Sequence, residues 1–285
     1  MVEFEVPKVD YTNYSNRQLA VVPLTVLAIA IAVLIGSWAL TGSPAALGID
    51  FTGGSEMTVE TGMPAADIPG AFSTEPVSVQ GTSRANQYVA TFDTSNVDAL
   101  RGEARDAGMT VLGSGETPAS FGADSMRIAV LGVGIAFLGM SVLAFALFRT
   151  FVPSIAIIIS AFSDLVVPLA VLSLLQVKLS LGTIAGLLML IGYSVDSDIL
   201  LNNHILRRRG EFYESTYNAM QTGVTMTLTS MVAMAVMAIM ATFFNIQIMA
   251  QIGFVLVLGL GVDLMNTYML NLSLLRWYAF EGVNR

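Results

Sequence analysis

The sequence predicts an α-helical membrane protein of six spans, with one α+β domain set between the first span and the second. Three observations lead there. Hydrophobic residues make up 54% and charged residues 12% of the 285, against about 25% charged in soluble domains. Six stretches, at about 19–40, 126–148, 152–175, 181–203, 222–243 and 248–272, are long and apolar enough to cross a hydrocarbon core about 30 Å thick. Between the first two lies a polar stretch, 43–124, with the alternating signals of strands and helices.

Residues 1–18 are polar and mixed in charge. The first span runs for 22 residues from Leu19 to Leu40, too long for a signal-peptide core, so it is read as a retained helix. Lys8, Arg17, Arg149, Arg207, Arg208, Arg209, Arg276 and Arg285 fall near span ends on one side of the membrane; Lys178 and Arg127 fall on the other. Basic residues favour the inside, which predicts cytoplasmic termini, an extracytoplasmic domain at 43–124 and a cytoplasmic tail at 276–285, in a multi-pass protein of the cell membrane. Glu211–Gln221 reads as a short helix lying at the cytoplasmic surface.

Within the outer domain, Ile49–Thr52 and Met57–Glu60 read as one strand broken at Gly53-Gly54. Ala65–Phe72 reads as a short helix weakened by Pro64 and Pro69. Val77–Gln80 and Tyr88–Phe92 read as strands, Val97–Ala107 as a helix and Met109–Leu112 as a last strand. Strand, helix, two strands, helix, strand is the split βαβ order of a ferredoxin-like domain.

Charge and composition exclude several functions. With no cysteine and a single histidine, His204, the chain has neither disulfides nor thiolate or His-rich metal sites. The glycine-rich segments lack the spacing of a phosphate loop, so no cofactor is expected. Between Ser43 and Asp124 there are eleven acids and three bases, which account for the whole net charge of −8. Such a surface disfavours nucleic acid. Its density, with Lys8 and Lys178 as the only lysines, suits a host living in high salt, where screening weakens repulsion between carboxylates.

The candidate chemistry lies in the spans. A carboxylate at membrane depth costs roughly 2.5–3.5 kcal/mol on insertion scales and marks function. At about 1.5 Å per residue, Asp164 lies about 17 Å from the outer end of its span, and Asp196 and Asp263 about 23 Å. Gly182, Gly186, Met189, Gly192, Asp196 and Asn203 share one side of the fourth span, where small residues admit a neighbouring helix. Asp196 is therefore expected in a helix seam, with Asp198 about 200° away and facing elsewhere. Asp263 has Gly259, Asn266 and Thr267 on its stripe; the fifth span offers Thr222, Thr225 and Thr229. Asp196, Asp263, Asp164 and Asp198 are the candidates for a proton or cation relay, against the alternative of polar contacts that only hold helices together. No basic residue lies at their depth, so the relay is neutral at rest or finds a cation on another subunit. An intramembrane aspartyl protease is the enzyme to weigh against this. Gly259-Leu-Gly261-Val-Asp263 inserts Val262 into the G-x-G-D pattern, turning the acid by about 100°, and no enzyme is expected.

Four motifs then carry a resemblance. Gly48-Ile-Asp50-Phe51-Thr-Gly53-Gly54 matches a G-x-D-F-x-G-G signature. Gly192-Tyr193-Ser-Val-Asp196-Ser-Asp198 looks like a fourth-span motif, G-Y-S-x-N-D. Thr225–Ser230 is similar to a Thr/Ser-rich fifth-span motif, and Gly253–Asn266 to a glycine-rich sixth. In this order, from about Gly48 to Asn271, the chain resembles the SecF members of the SecD/SecF family, each half of an RND-superfamily transporter. The bacterial motif has its acid at the position of Ser197 and Asn at that of Asp196, while the SecD motif G-x-x-V-D-A-N has its acid at Asp196. Asp198 and Asp263 lie outside the bacterial pattern, and Asn203-His204 replaces its Asp-Arg. With the acidic composition, this resembles an archaeal, haloarchaeal member. The resemblance implies a SecD partner, docking on the Sec translocon channel, contact with exported polypeptide and membrane lipid, and use of the proton-motive force or a sodium gradient in late translocation. The runner-up is a homodimeric half-size RND-type exporter of lipid or small molecules.

Overall fold

The computed structural model describes residues 9–82, 84–207, 212–244 and 246–281, without the side chain of Arg207. It divides into two units, one of helices (up to Ala46 and from Gly132 on) and one built on a sheet (Leu47–Leu131).

The sheet unit starts at a one-turn helix, α2 (Ile49–Thr52), followed by β1 (Gly54–Glu60), a 3-10 turn (Pro69–Ala71), β2 (Ser78–Gly81), β3 (Gln87–Phe92), α3 (Val97–Asp106) and β4 (Thr110–Thr117). The strands are ordered β2-β3-β1-β4 and every pairing is antiparallel. That is the ferredoxin-like order, with the first helix shrunk to a turn. Met57, Val59, Ile68, Phe72, Phe92, Leu100 and Met109 form the core, and the rings of Phe72 and Phe92 meet edge to face at 4.8 Å. Leu112 bulges from β4 where the register skips between Gly113 and Val111. β4 runs well past the expected Leu112.

One expectation is corrected here. Ile49–Thr52 is helical, because Gly48 starts a turn whose last residue, Thr52, returns its hydroxyl to the Gly48 carbonyl (3.2 Å). The strand begins only at Gly54. Gly53 and Gly54 have φ of +76° and +108°, and a Cβ on either would meet backbone, Ala119 Cα for Gly53 and the Phe92 carbonyl for Gly54. Only glycine fits both demands.

Among the described residues, six helices are long and apolar enough to cross a membrane. α1 (Asn16–Thr41) is started by a capping box between Ser15 and Gln18 and stopped by Gly42 in the left-handed region. α4 spans Ala119–Phe148, α5 Phe151–Leu174, α6 Leu181–Arg207 and α7 Phe212–Phe243. The described part of the expected surface helix, residues 212–221, is instead the continuous start of α7; Glu211 lies outside the described residues. α8 (Gln247–Met265) passes through a π-helical stretch (Asn266–Asn271) into α9 (Leu272–Phe280).

α5 is the most enclosed span, with Ser154, Ser160, Ser163 and Asp164 all buried. α6 and α8 run parallel along a stepped seam. A Cβ on Gly182 would press on Ile248, one on Gly186 on Val255, and one on Gly259 on the Leu190 side chain. These three glycines draw the two backbones together and lead straight to the polar centre. At the membrane end where α1 begins, the Arg276 guanidinium donates to the carbonyls of Tyr11 (2.9 Å) and Tyr14 (2.7 Å) and to the Asn16 side chain.

Candidate functional site: a buried carboxylate cluster

Three acids from three helices meet inside the helical unit: Asp164 of α5, Asp198 of α6 and Asp263 of α8, exposed by 1%, 0% and 1%. Their partners are hydroxyls and amides. Ser194 Oγ donates to Asp164 Oδ2 at 2.5 Å and Asn266 Nδ2 to Asp164 Oδ1 at 2.6 Å. Ser197 Oγ reaches Asp263 at 2.8 and 3.0 Å. Asn271 Nδ2 donates to Asp198 Oδ1 at 2.8 Å, and Thr267 Oγ1 stands 3.0 Å from that same oxygen. Among the described residues no Lys, Arg or His hydrogen-bonds any of the three.

The local sequence explains how each group arrives. Ser194, Asp198 and Asn202 recur every four residues on α6. Asn202 donates back to the Asp198 carbonyl at 2.7 Å, which leaves its own amide oxygen without a partner. On α8, Asp263, Thr267 and Asn271 also recur every four, but an α-helix would carry Asn271 about 80° around from Asp263. The wider π-helical turn removes most of that drift, so Asn266, Thr267 and Asn271 all reach the cluster. A π segment inside an α-helix is typical of functional sites.

Around the acids, Asn266 Oδ1 and the Ser163 hydroxyl are buried without a hydrogen-bond partner, and the Ser160 side chain faces Asp198. An oxygen-only set of this kind suits protons, water or a hard cation rather than a soft metal.

The placement of Asp196 differs from expectation. Asp196 is exposed on the outer side of the chain with Met189, Gly192 and Asn203; nothing would meet a Cβ on Gly192. At about 100° per residue, the buried face of α6 centres near Leu190 and Ser194. Gly182 and Gly186 lie on its margin and Asp196 beyond it, so the inward acid of the pair is Asp198. Tyr193 is half-buried. Thr225 and Thr229 return their hydroxyls to their own helix, at the Gln221 and Thr225 carbonyls, and do not join the cluster. His204 Nδ1 lies 2.9 Å from the Leu200 carbonyl, a local helix contact. Ser194, Ser197 and Asn271 are site residues that the sequence reading misses, although the four-residue spacings through Asp198 and Asp263 point to two of them.

Comparison with known proteins follows the same lines. A family model described as "Protein export membrane protein SecD/SecF, C-terminal" matches residues 111–281, and one for the "SecD/SecF GG Motif" matches 38–65, around Gly53 and Gly54. The chain is 57% identical to the protein-export membrane protein SecF of Haloferax volcanii and 59% identical to that of Haloquadratum walsbyi, each over the full length of both chains. Among solved structures it is similar to SecDF, a translocon-associated membrane protein from Thermus thermophilus, with a TM-score of 0.76 and 18% identity. That match covers 98% of this chain and 40% of the other.

Proposed function

This chain belongs to the SecD/SecF family of protein-export membrane proteins, and from that premise we propose that it couples an ion gradient to export. In this reading a SecD-type partner completes the other half of the machine, docked on the Sec translocon channel, with both termini cytoplasmic and the sheet unit outside, towards the exported polypeptide.

The observation that carries the reading is the cluster of Asp164, Asp198 and Asp263, three buried carboxylates with no cationic partner among the described residues. Such a group holds exchangeable protons or a shared cation, since bare charges at this depth are too costly. The hydroxyls of Ser197 and Thr267 both accept and donate and so form steps between the acids. Asn266 and Asn271 are positioning groups that fix one oxygen each on Asp164 and Asp198. Loading or unloading the cluster changes what Thr267 and Asn271 hold, and both lie on the π segment, whose turns are the element free to answer. Asp196, outward on this chain, is available to helices of the partner.

The test is export of a secreted reporter in cells carrying Asp198→Asn or Asp263→Asn. The Asp198→Asn side chain would keep the contacts to Thr267 and Asn271 on its amide oxygen while removing the titration. The expected result is loss of export with normal amounts of the chain and of its co-purifying SecD-type partner. Normal export from both variants would sink the coupling role. Purification of the wild-type chain as a homodimer without such a partner would favour the half-size exporter.

A further inference from the structure

We propose that a groove along α1 is a binding site for an anionic membrane lipid, with Arg17 at its headgroup end. A cavity of about 730 Å³ opens beside the start of α1, lined by Tyr14, Arg17, Val21, Val22, Tyr268 and Met269 among others. Beyond it an open face of α1 alone continues from Val21 past Leu24, Thr25, Ala28 and Ile29 to Ala32. From Arg17 to Ala32 is about 22 Å at 1.5 Å per residue, more than the roughly 15 Å depth of one leaflet. The cavity and the open face beyond it are together long enough for a lipid chain.

Its chemistry is asymmetric along that length. At one end stands Arg17, exposed, with no hydrogen bond or ion pair among the described residues. Arg276, also at this end, is already engaged with Tyr11, Tyr14 and Asn16. Tyr14 lies at the same mouth with its ring exposed, as aromatic residues do at headgroup level. Beyond them the wall is apolar: Val21, Val22, Leu24 and Ile29 are all exposed. A guanidinium without a partner among the described residues, at the mouth of an apolar groove, recognises a negatively charged headgroup carrying a hydrocarbon chain. A helix of another protein would suit the apolar face but would have to bring an acidic residue to this one end to suit the cation as well.

The floor of the groove gives the site a consequence. Tyr268 and Met269 belong to the same π segment whose opposite side offers Thr267 and Asn271 to the carboxylates. A lipid seated here presses on the element that carries the cluster's hydroxyl.

The experiment places a single cysteine at the exposed Thr25 of this cysteine-free chain and labels it with bimane. The chain is purified with its co-purifying partner and reconstituted in nanodiscs, with the unsubstituted chain as background. Brominated phosphatidylglycerol or brominated phosphatidylcholine is then titrated and bimane quenching read. Phosphatidylglycerol should half-quench at about one fifth of the mole fraction needed for phosphatidylcholine, the preference one basic side chain provides at an anionic surface. Arg17→Gln should abolish that preference. Val22→Trp, which fills the groove, should reduce quenching by both lipids. Equal quenching by the two lipids in the wild-type groove overturns the proposal, as does a preference that survives Arg17→Gln. No quenching by either lipid means that protein covers the groove, which also overturns it; so does Val22→Trp without effect.

Discussion

Asp198 and Asp263 share one hydroxyl: Thr267 Oγ1 lies 3.0 Å from Asp198 Oδ1 and 3.3 Å from Asp263 Oδ1. A hydroxyl has a single proton to donate, so it serves one acid at a time. The two sites are thereby tied together through a side chain on the π segment, without either helix having to move.

Thr267→Val keeps the shape of the side chain and removes that tie. The loss leaves buried acceptors short of a partner, at a cost of about 1–3 kcal/mol. Export of a reporter should fall well below wild type while the chain still accumulates in the membrane, and Thr267→Ser should restore it. Wild-type export from the valine variant would show that the hydroxyl is dispensable.

Asp196 gives a test of what lies outside the chain. If this outward acid faced lipid, Asp196→Leu would stabilise the protein by about 2–3 kcal/mol. If it faces a partner's helices, as proposed above, the same change should lower the yield of the co-purified complex. Thermal unfolding of the chain and recovery of the complex, measured side by side, separate the two.

Gly54→Ala should destabilise the sheet unit by about 2 kcal/mol or more, because its φ of +108° is strained for alanine and the new Cβ would strike the Phe92 carbonyl. Gly62→Ala, with open space around it, should be near neutral. Limited proteolysis of the purified chain reads the difference, and equal protection of the two variants would contradict the account of the glycine pair.

Glu103 accepts from the backbone N–H of Ser73 at 3.0 Å and from its hydroxyl, and these bonds hold its carboxyl below the ordinary value of 4.5, the hydroxyl contributing most. A carboxyl lowered on folding adds stability that is present above its unfolded value and lost as pH falls through its folded one. Acid unfolding of the sheet unit should therefore steepen below about pH 4.5. Ser73→Ala should flatten that part of the curve by lowering stability in the neutral range while leaving it little changed at the acid end; an unaltered pH dependence would dismiss the contact.

Salt is the remaining variable. Residues 43–124 hold eleven acids and three bases, so their repulsion is strong in dilute buffer and screened at molar ionic strength. A circular dichroism titration of that fragment with KCl should show the folded spectrum growing in with salt. A full spectrum in dilute buffer would remove the argument for a high-salt host.

Much of the fold is legible in the sequence because its signals are local. Six apolar runs and the strand alternation of the outer domain need no knowledge of neighbours. Ile49–Thr52 misleads because Ile-Asp-Phe-Thr alternates apolar and polar residues as a strand does, over too few positions to distinguish it from one helical turn. The turn depends on Gly48 and on two glycines with positive φ. The site is harder. Glycine spacing locates one margin of the buried face of α6 but cannot say which way the face extends, so it puts Asp196 inward and Asp198 outward. What decides the matter is Ser194, Ser197 and Asn202, polar residues that an inward face tolerates only when they are paired. Asn271 is hidden by a different cause: a single 3.6-residue period does not run through α8 and α9.

The π stretch has a further consequence for how this helix tolerates change. Its extra residue stores a phase difference between everything before Asn266 and everything after Asn271. Deleting that extra residue would let the segment relax to ordinary α-helix with α9 left nearly in place; deleting one from the regular turns on either side would turn α9 by about 100° and shift it by about 1.5 Å. In the second case Arg276 would swing off the carbonyls of Tyr11 and Tyr14, uncoupling the N-terminal segment from a site several turns away. At this point the chain is sensitive to length as much as to chemistry, and an indel acts as a gear slipped by one tooth.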